Sequence, residues 1–347
     1  MRGTQSGDLV IAPATPAAFD AVAAAADPRH AFLRHAWFEA EAGQRLRALV
    51  VQRPDGSPLA ALPRLRRGVG PIGIAAIPGS YWPFRSFPVA LDATAAELAG
   101  LLARREIRSF LGPVWRMGPV LADDPTAERL RDAAPAAGWT ILPRRLGASF
   151  ELDFARLRAD SPWPRTSSQA SNRRRERKLA AHGEVEYRFV TGRDWTAADR
   201  DSIARIEAES WLSGIGGAAD AKFHDAERRR MWERAAQDPA IADMITCSLL
   251  TVGGAPAAFA FGVEAGGVRH DIANGYSQRF AAFGAGKLLL YRDFERAADR
   301  GITRVDWGSG DAGYKSEMGA TEGPEIVDLL LVRSRPLAAA LRRWWSR

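Results

Sequence analysis

Residues 268–300 hold the pattern that decides the fold, and they read VRHDIANGYSQRFAAFGAGKLLLYRDFERAADR. Val268 to Tyr276 predicts a strand, and Gly286 to Arg300 predicts a long helix. The turn between them contains Gly284 and Gly286. A glycine-rich turn from a strand into a helix leaves backbone N–H groups unpaired at the helix start, where they can bind phosphate or pyrophosphate.

The glycine spacing in this turn excludes two common nucleotide-binding loops. A Walker A loop needs the pattern G-x-x-x-x-G-K-[ST], which residues 282–290 lack, and a Rossmann fingerprint needs a third glycine. Glycines also let a ligand approach the backbone closely. The turn therefore predicts either a site for a phosphate-bearing ligand or a helix start that is packed tightly on a sheet.

The rest of the chain alternates predicted strands and helices with short turns, which indicates an α/β or α+β fold. The clearest hairpin joins Met244 to Val252 with Ala257 to Val263 through a glycine pair. The two halves of the chain share the order helix, hairpin, strand, helix, strand. A polar, proline-bearing stretch at 153–164 predicts a boundary between domains 1–155 and 156–347.

The composition excludes several classes of protein. The chain has 347 residues, a formal net charge of +7 and one cysteine, Cys247, so it has neither a disulfide framework nor a cysteine-based zinc site. The five histidines form no metal-binding spacing, and there is no nucleophile elbow. No apolar run approaches the ~20 residues of a membrane span, and Asp8 and Pro13 interrupt any signal-like segment. These features predict a cytoplasmic protein without a metal.

A second loop with candidate functional residues follows the predicted strand at Val305 to Trp307. It contains Asp311, Tyr314 and Lys315 among several glycines. Irregular loops at strand ends commonly carry binding groups, so Asp311 and Lys315 could pair or orient a substrate. The alternative is a surface turn in which the aspartate is a cap.

Three further features stand outside these loops. Glu207 and Trp211 share one face of a predicted helix, which is either the rim of a cleft or an ordinary helix face. Arg173 and Arg177 align on a basic helix, which is either solvated or a surface for anionic ligands. The basic, tryptophan-bearing tail 335–347 either packs onto its own domain or lies at a membrane surface.

Together these motifs resemble the CelD-like branch of the GNAT acetyltransferases, whose members are associated with cellulose biosynthesis. The resemblance covers about Ser167 to Ala320. Its most specific string is Gly-x-x-x-x-Asp-Trp-x-x-Gly-Asp-x-x-Tyr-Lys at Gly301 to Lys315, preceded by a basic helix at Asn172 to Leu179 and by Gly-x-x-Leu-Leu at Gly286 to Leu290. The family is also similar in fold to the Fem peptidyltransferases, whose Phe-Lys-x-x-Phe-Gly string resembles Tyr314 to Gly319.

The resemblance implies tandem GNAT-like domains, each a mixed, mostly antiparallel sheet flanked by helices, with a degenerate first domain and the ligand site in the second. The implied activity moves an acyl group from acetyl-CoA or another acyl-CoA to an amine of a small molecule or of an envelope or polysaccharide precursor. A Fem-like transferase that uses aminoacyl-tRNA and a non-catalytic binding subunit of an envelope polysaccharide system remain open. DNA is not an expected partner, and the tail predicts at most peripheral contact with the inner membrane.

The resemblance also shows one departure and nominates three sets of site residues. GNAT enzymes usually carry Arg or Gln three residues before the first loop glycine, but Ala281 stands at that position here. The candidate acids, bases and charge-stabilising groups are Tyr314, Lys315, Asp311, Glu207, Asp271 and Tyr276. The candidates for donor binding are Gly284, Ala285, Gly286, Lys287 and Leu288. The candidates for substrate binding are Trp211, Asn274, Trp307, Arg173 and Arg177.

Overall fold

The computed structural model describes residues 8–68, 73–79, 84–159, 162–210, 222–311 and 313–345. The chain forms two compact units, the first made of residues up to Ala148 and from Pro324 onward, the second of Ser149–Gly323. The C-terminal segment groups with the first unit because the strand Thr321–Val332 pairs with Val114–Leu121. The units therefore have different bounds from the expected domains 1–155 and 156–347, and a GNAT-like domain in each stays a prediction.

The strands and helices have the following bounds. The strands are β1 Val10–Pro13, β2 Arg47–Gln52, β3 Pro58–Arg67, β4 Ile74–Ala76, β5 Val114–Leu121, β6 Thr140–Asp153, β7 Val185–Thr191, β8 Ile245–Val252, β9 Ala255–Ala265, β10 Val268–Tyr276, β11 Arg304–Ser309 and β12 Thr321–Val332. The α-helices are α1 Pro16–Ala25, α2 His35–Ala42, α3 Ala95–Ala103, α4 Arg105–Leu111, α5 Pro125–Ala136, α6 Phe154–Ala159, α7 Thr166–Ala180, α8 Ala197–Glu209, α9 Ala226–Ala235, α10 Pro239–Met244, α11 Ala285–Asp299, α12 Tyr314–Met318 and α13 Arg335–Trp345.

The first unit is a mixed sheet with helices packed on it. Strands β1, β2, β3 and β4 pair antiparallel in chain order, and β4 pairs parallel with β5. Large aromatic side chains fill its core, among them Phe19, Trp37 and Trp115, each fully buried. Helix α13 packs on this unit through Ala338 and Trp345, and the guanidinium of Arg144 lies 4.3 Å from the Trp345 ring.

The second unit is built on a sheet in which residues 149–153 of β6 are followed in space by β11, β10, β9, β8 and β7. Only β10 and β11 pair parallel among these neighbours, and the other pairs are antiparallel. The predicted hairpin forms β8 and β9. Its turn places Gly253 and Gly254 at φ 55° and 73°, a conformation that strongly favours glycine.

Both faces of this sheet are covered. On one face Leu288 and Leu289 of α11 pack against Ala258 of β9, so the apolar stripe of the predicted helix is its buried face. On the other face the Phe261 ring meets Trp195 and Trp232 at 5.3 and 5.0 Å. The sheet is therefore buried between two apolar layers, and an opening can form only at the ends of its strands.

Two observations concern the chain as a whole. Cys247 lies buried in β8, and burial raises the pKa of its thiol far above the usual range, so the thiol is an inert core group. Within the part of the chain that the structure describes, no helix combines the length and the apolar character needed to cross a bilayer.

Candidate functional site

The site begins where the two parallel strands of the second unit separate. Strand β10 pairs with β11 only from Val268 to His270, whose partners are Arg304 to Asp306. Strand β10 continues to Tyr276 and stays paired with β9 along that length. Among the described residues, the edge of β10 that faces β11 therefore has no strand partner beyond His270. Unpaired backbone groups in this opening can hydrogen-bond a ligand.

A β-bulge decides which side chains line this opening. The register between β10 and β9 shifts between Asp271 and Ala273. As a result three residues of β10 lie opposite alternate residues of β9 and point to the face of the sheet on which α11 packs. They are Asp271, Asn274 and Tyr276. Without the extra residue, strict alternation would place Asn274 on the opposite face from Asp271. The bulge therefore brings together three predicted site residues.

The predicted glycine turn forms the entry to α11. Gly284 has φ +70° and precedes the first residue of the helix, where no side chain caps the N-terminus. The first turn of α11 contains no acidic residue, and its backbone N–H groups have no acceptor within the helix. A Cβ on Gly286 would lie 2.8 Å from Cδ1 of Tyr276, so this glycine allows the tyrosine to pack against the turn.

The other predicted donor-binding residues can contribute only their backbone or are already paired. The side chains of Ala285 and Leu288 are fully buried in the core beneath α11. Lys287 forms an ion pair with Glu317 of α12, which links the two helices. Backbone N–H groups are therefore the binding groups that this turn itself provides.

Helix α7 supplies a side chain that sequence analysis missed. A Cβ on Gly284 would lie 2.8 Å from Nε and 3.0 Å from Cδ of Arg175, so this arginine crosses the face of the turn. Its guanidinium donates to Oδ1 of the buried Asn172 at 2.7 Å. Arg173 and Arg177, the predicted substrate-binding arginines, are exposed. The i,i+4 alignment of the basic run could not show which arginine faces α11.

Asp271 is the carboxylate at the start of the opening. Its side chain is buried, its Oδ2 accepts a 2.7 Å hydrogen bond from Nδ2 of Asn274, and Arg269 lies 3.8 Å from its Oδ1. Burial raises the pKa of Asp271 to about 7, helped by the negative charge of Asp293 and opposed by the positive charge of Arg269. A carboxyl group with a pKa near neutrality can exchange a proton at physiological pH.

Tyr314 stands beside Asp271 and Asn274. Its ring meets that of Trp307 edge-on at 5.3 Å. Burial, followed by the negative charge of Asp271, raises the pKa of the Tyr314 phenol to about 12, and a hydrogen bond with Asn274 opposes this shift. The phenol therefore stays protonated at neutral pH and is available as a proton donor. The fold thus joins four predicted site residues: Asp271, Asn274, Trp307 and Tyr314.

Lys315 is buried and already bonded. Its ammonium donates to the carbonyl oxygens of Trp307, Gly308 and Ser309 at 2.7, 3.2 and 3.1 Å. Burial lowers the pKa of Lys315, and the charges of Asp271, Asp306 and Asp311 oppose this. An ammonium has three donors, so these three bonds use all of them. These bonds hold the Lys315 ammonium at the end of β11, and a role of Lys315 in the reaction stays a prediction.

Asp311 is the cap of the short helix α12. Its Oδ1 accepts hydrogen bonds from the backbone N–H groups of Gly313 and Lys315 at 2.7 and 3.1 Å, and its Oδ2 accepts from Ser316. Partial burial acts to raise its pKa, but the hydrogen bonds from Ser316, Lys315 and Gly313 outweigh it and lower the pKa. These hydrogen bonds are those of a turn with a capping aspartate, and a role of Asp311 in the site stays a prediction.

Glu207 lies on the opposite face of the sheet from α11. It is buried, and its carboxylate accepts hydrogen bonds from the backbone N–H groups of Lys222, Phe223 and His224, each at 2.7 Å. It therefore holds that segment in place, which the helical spacing alone could not reveal. Its predicted neighbour Trp211 lies outside the described residues.

His270 and Asp306 are the last residues at which β10 and β11 pair, and both are buried. Nδ1 of His270 is 2.9 Å from Oδ2 of Asp306, and Ser149 also bonds this carboxylate. Burial acts to raise the pKa of Asp306, but the hydrogen bond and charge of His270 outweigh it and lower the pKa.

Among the described residues, no group of three or more His, Cys, Asp or Glu side chains could hold a metal ion.

Comparisons with known proteins agree with this geometry. Residues 167–316 match the family described as an acetyltransferase (GNAT) domain. No curated protein sequence matches the chain. The matched segment contains almost all of α7, the strands β7 to β11, the glycine turn and most of α12, and therefore most of the site described above.

Solved structures share the fold along most of the chain. FemX has a TM-score of 0.64 at 12% identity, with 96% of this chain and 100% of that chain covered. L-PGS from Bacillus licheniformis has a TM-score of 0.54 at 13% identity, with 95% and 96% covered. A conserved protein of unknown function from Bacteroides thetaiotaomicron has a TM-score of 0.57 at 13% identity, with 94% and 99% covered.

These findings confirm the predicted mixed α/β, GNAT-like fold of a sheet flanked by helices. At such low identities the structural likeness speaks for the fold alone. The domain match supports a GNAT-type acyltransferase.

Proposed function

We propose that the chain is an N-acyltransferase whose donor is acetyl-CoA or another acyl-CoA and that its donor site lies in the second unit. The observation that carries this proposal is that β10 has no β11 partner beyond His270 among the described residues and is followed along the chain by the uncapped start of α11. A thioester chain fits an opening lined by unpaired backbone groups, and a diphosphate fits free N–H groups at a helix start.

The side chains at the opening suit direct attack of an amine on a thioester. The amine nitrogen attacks the thioester carbonyl carbon, the C–S bond breaks, Asp271 takes the proton released by nitrogen, and Tyr314 protonates the departing thiolate. The pKa of Asp271, about 7, and that of Tyr314, about 12, are in the order that an acceptor and a donor of protons require. The proton held by Asp271 then restores the phenol. The unpaired N–H groups of β10 stabilise the developing oxyanion.

The remaining predicted residues take supporting roles in this proposal. Lys315 positions the end of β11 through its three carbonyl partners, and Asp311 holds the loop that carries Tyr314 and Lys315. Tyr276 packs against Gly286 beside the diphosphate position. Asn274 and Trp307 orient the reacting groups, and the acceptor is an amine of a small molecule or of an envelope or polysaccharide precursor, as in the CelD-like branch. We further propose that the first unit is a degenerate GNAT-like domain.

A Fem-like transferase that uses aminoacyl-tRNA is the second candidate. The observation that favours it is a row of exposed basic residues on α7, the helix whose Arg175 lies against the glycine turn. These residues are Arg173, Arg174, Arg177 and Lys178. A solvated basic face attracts any polyanion, so this observation is less specific than the opening. A non-catalytic binding subunit would keep the fold and bind a donor without turnover.

One experiment separates these candidates. The purified protein is incubated with a panel of acyl-CoA donors and amine acceptors, and released thiol is measured. Thiol release that depends on the acceptor supports the proposal. Activity only with aminoacyl-tRNA supports the Fem-like candidate, and CoA binding without turnover in any combination supports the binding subunit.

We also propose that α13 makes peripheral contact with anionic lipid and thus places the cytoplasmic protein at the inner membrane. Trp344 is 67% exposed, Leu337 is exposed on the same helix, and Arg342 and Arg343 flank them. We expect Trp344→Ala to reduce sedimentation with phosphatidylglycerol vesicles severalfold, and Leu91→Ala, at another exposed apolar residue, to leave it unchanged. Sedimentation that is equal for both variants and the wild type contradicts this proposal.

A further inference from the structure

We propose that Arg175 of α7 binds the diphosphate of the donor and replaces the side chain that the glycine turn lacks. This inference rests on the proposed acyl-CoA donor and names a specificity residue of the same site. Position 281 carries alanine, so the segment before Gly284 provides no long polar side chain at the place where the resembling family carries Arg or Gln.

The side chain of Arg175 lies against Gly284, the N-cap residue of α11. Its Nε and Cδ occupy the space in front of Gly284, at 2.8 and 3.0 Å from an ideal Cβ position. Gly284 is the N-cap residue of α11, so this arginine lies beside the point at which the helix begins. Any side chain at position 284 would displace it. Glycine at position 284 therefore allows the positive φ of the turn and leaves room for the side chain of Arg175.

The electrostatics of this arrangement favour an anion. A helix N-terminus has a partial positive charge, and cations are ordinarily found at the other end. Here Arg175 lies at the positive end of α11, whose first turn has neither a capping side chain nor an acidic residue. The hydrogen bond of its guanidinium to Asn172 holds it in place without neutralising its charge. A bound diphosphate would neutralise both sources of positive potential.

Arg174 provides a matched control. It is on the same helix and carries the same side chain, but it is exposed, whereas Arg175 is partly buried against the turn. Substitution by glutamine preserves helix propensity at both positions. Any general effect of lost positive charge on α7 should therefore be equal in Arg174→Gln and Arg175→Gln, and a local contact should appear only in Arg175→Gln.

The test measures the binding of three probes to the full chain: coenzyme A, inorganic pyrophosphate and pantetheine, which has no diphosphate. We expect Arg175→Gln to weaken the affinity for coenzyme A and pyrophosphate about tenfold and to leave that for pantetheine unchanged, because a charge-assisted hydrogen bond is lost. We expect Arg174→Gln to bind all three as the wild type does, and Arg175→Lys to restore part of the loss. Thermal melting of each variant verifies that it is folded.

Three outcomes overturn the inference, and they are distinguishable. If Arg175→Gln and wild type bind coenzyme A equally, Arg175 does not bind the diphosphate, although the proposed donor stands. If Arg175→Gln loses pantetheine as strongly as coenzyme A, its role is to support the fold of the turn. If the wild type binds none of the three probes but binds tRNA, the acyl-CoA donor itself is wrong and the inference falls with it.

Discussion

The loops that follow the two parallel strands differ in how their polar groups are satisfied. After β11, Asp311 caps the backbone of α12, and Lys315 bonds three carbonyl groups, so the loop is closed by its own side chains. After β10, the turn at Gly284 offers backbone N–H groups and no capping side chain. The loop after β11 is thus richer in ionisable residues than the turn after β10, but it has fewer polar groups left to hydrogen-bond a ligand. Charged residues in a loop mark a binding site only when the loop leaves them unbonded.

The largest expected effect compares a carboxylate on β10, the strand that precedes the open loop, with one in the closed loop. We expect Asp271→Asn to lower kcat by about 10²–10⁴, the contribution of a general base. Asp311→Asn keeps one acceptor oxygen for the backbone N–H groups of Gly313 and Lys315 and should leave kcat within about threefold of wild type, because Asp311 is not one of the proposed reacting groups. Thiol-release kinetics measure both. A larger loss in Asp311→Asn than in Asp271→Asn would reverse the assignment.

The same Asp271→Asn variant has a signature in stability against pH. The folded-state pKa of Asp271, about 7, lies above the value of about 3.9 for an exposed aspartate. The protonated group therefore favours the folded state, and this contribution is complete below the lower pKa and lost as the pH rises through the higher one. We expect the melting temperature of Asp271→Asn relative to wild type to rise between about pH 4 and about pH 7 and to level off above that. An unchanged difference contradicts a raised pKa.

A smaller effect is expected from a steric obstacle at the open loop. Gly286→Val places atoms where the ring of Tyr276 now lies, 2.8 Å from an ideal Cβ, and narrows the approach to the helix start. We expect at least a tenfold loss in affinity for coenzyme A, since about 1.4 kcal/mol of binding free energy suffices for that. Gly100→Val, at a helical glycine of α3 with open space around it, is the control for lost helix propensity. Calorimetry that shows equal affinities in both folded variants contradicts the role of this turn.

The smallest expected effect tests the closed loop. Lys315→Met removes the ammonium and leaves the carbonyls of Trp307, Gly308 and Ser309 without that donor. We expect the free energy of unfolding to fall by about 1–3 kcal/mol, the cost of buried polar groups that lose their partner. Chemical denaturation measures it. A variant with wild-type stability and no activity would instead make Lys315 a catalytic residue and break the comparison.

The sequence predicted the parts of the site that depend on local pattern. The strand, the glycine turn and the helix appear at Val268–Tyr276, Gly284 and Ala285–Asp299, close to their predicted positions. Helical periodicity and glycine content set these elements, so a single sequence suffices to find them.

What depends on tertiary contacts was not predictable. The bulge after Asp271 brings Asn274 onto the same face, and nothing in the run from Asp271 to Tyr276 marks an extra residue. The role of Glu207 depends on three backbone groups fifteen or more positions away. The side chain of Arg175 is distinguished from its neighbours only by the packing of α7 against the turn.

The unpaired edge of β10 should be visible in hydrogen exchange. Backbone amides of this strand alternate in direction, so those that point to β9 are bonded and those that point to the opening are not. From Ala273 to Tyr276, deuterium uptake should therefore be slow and fast at alternate residues. Before His270, where both neighbours pair, uptake should be uniformly slow. A saturating donor should then slow the fast set, which would record residue by residue where the bound chain lies.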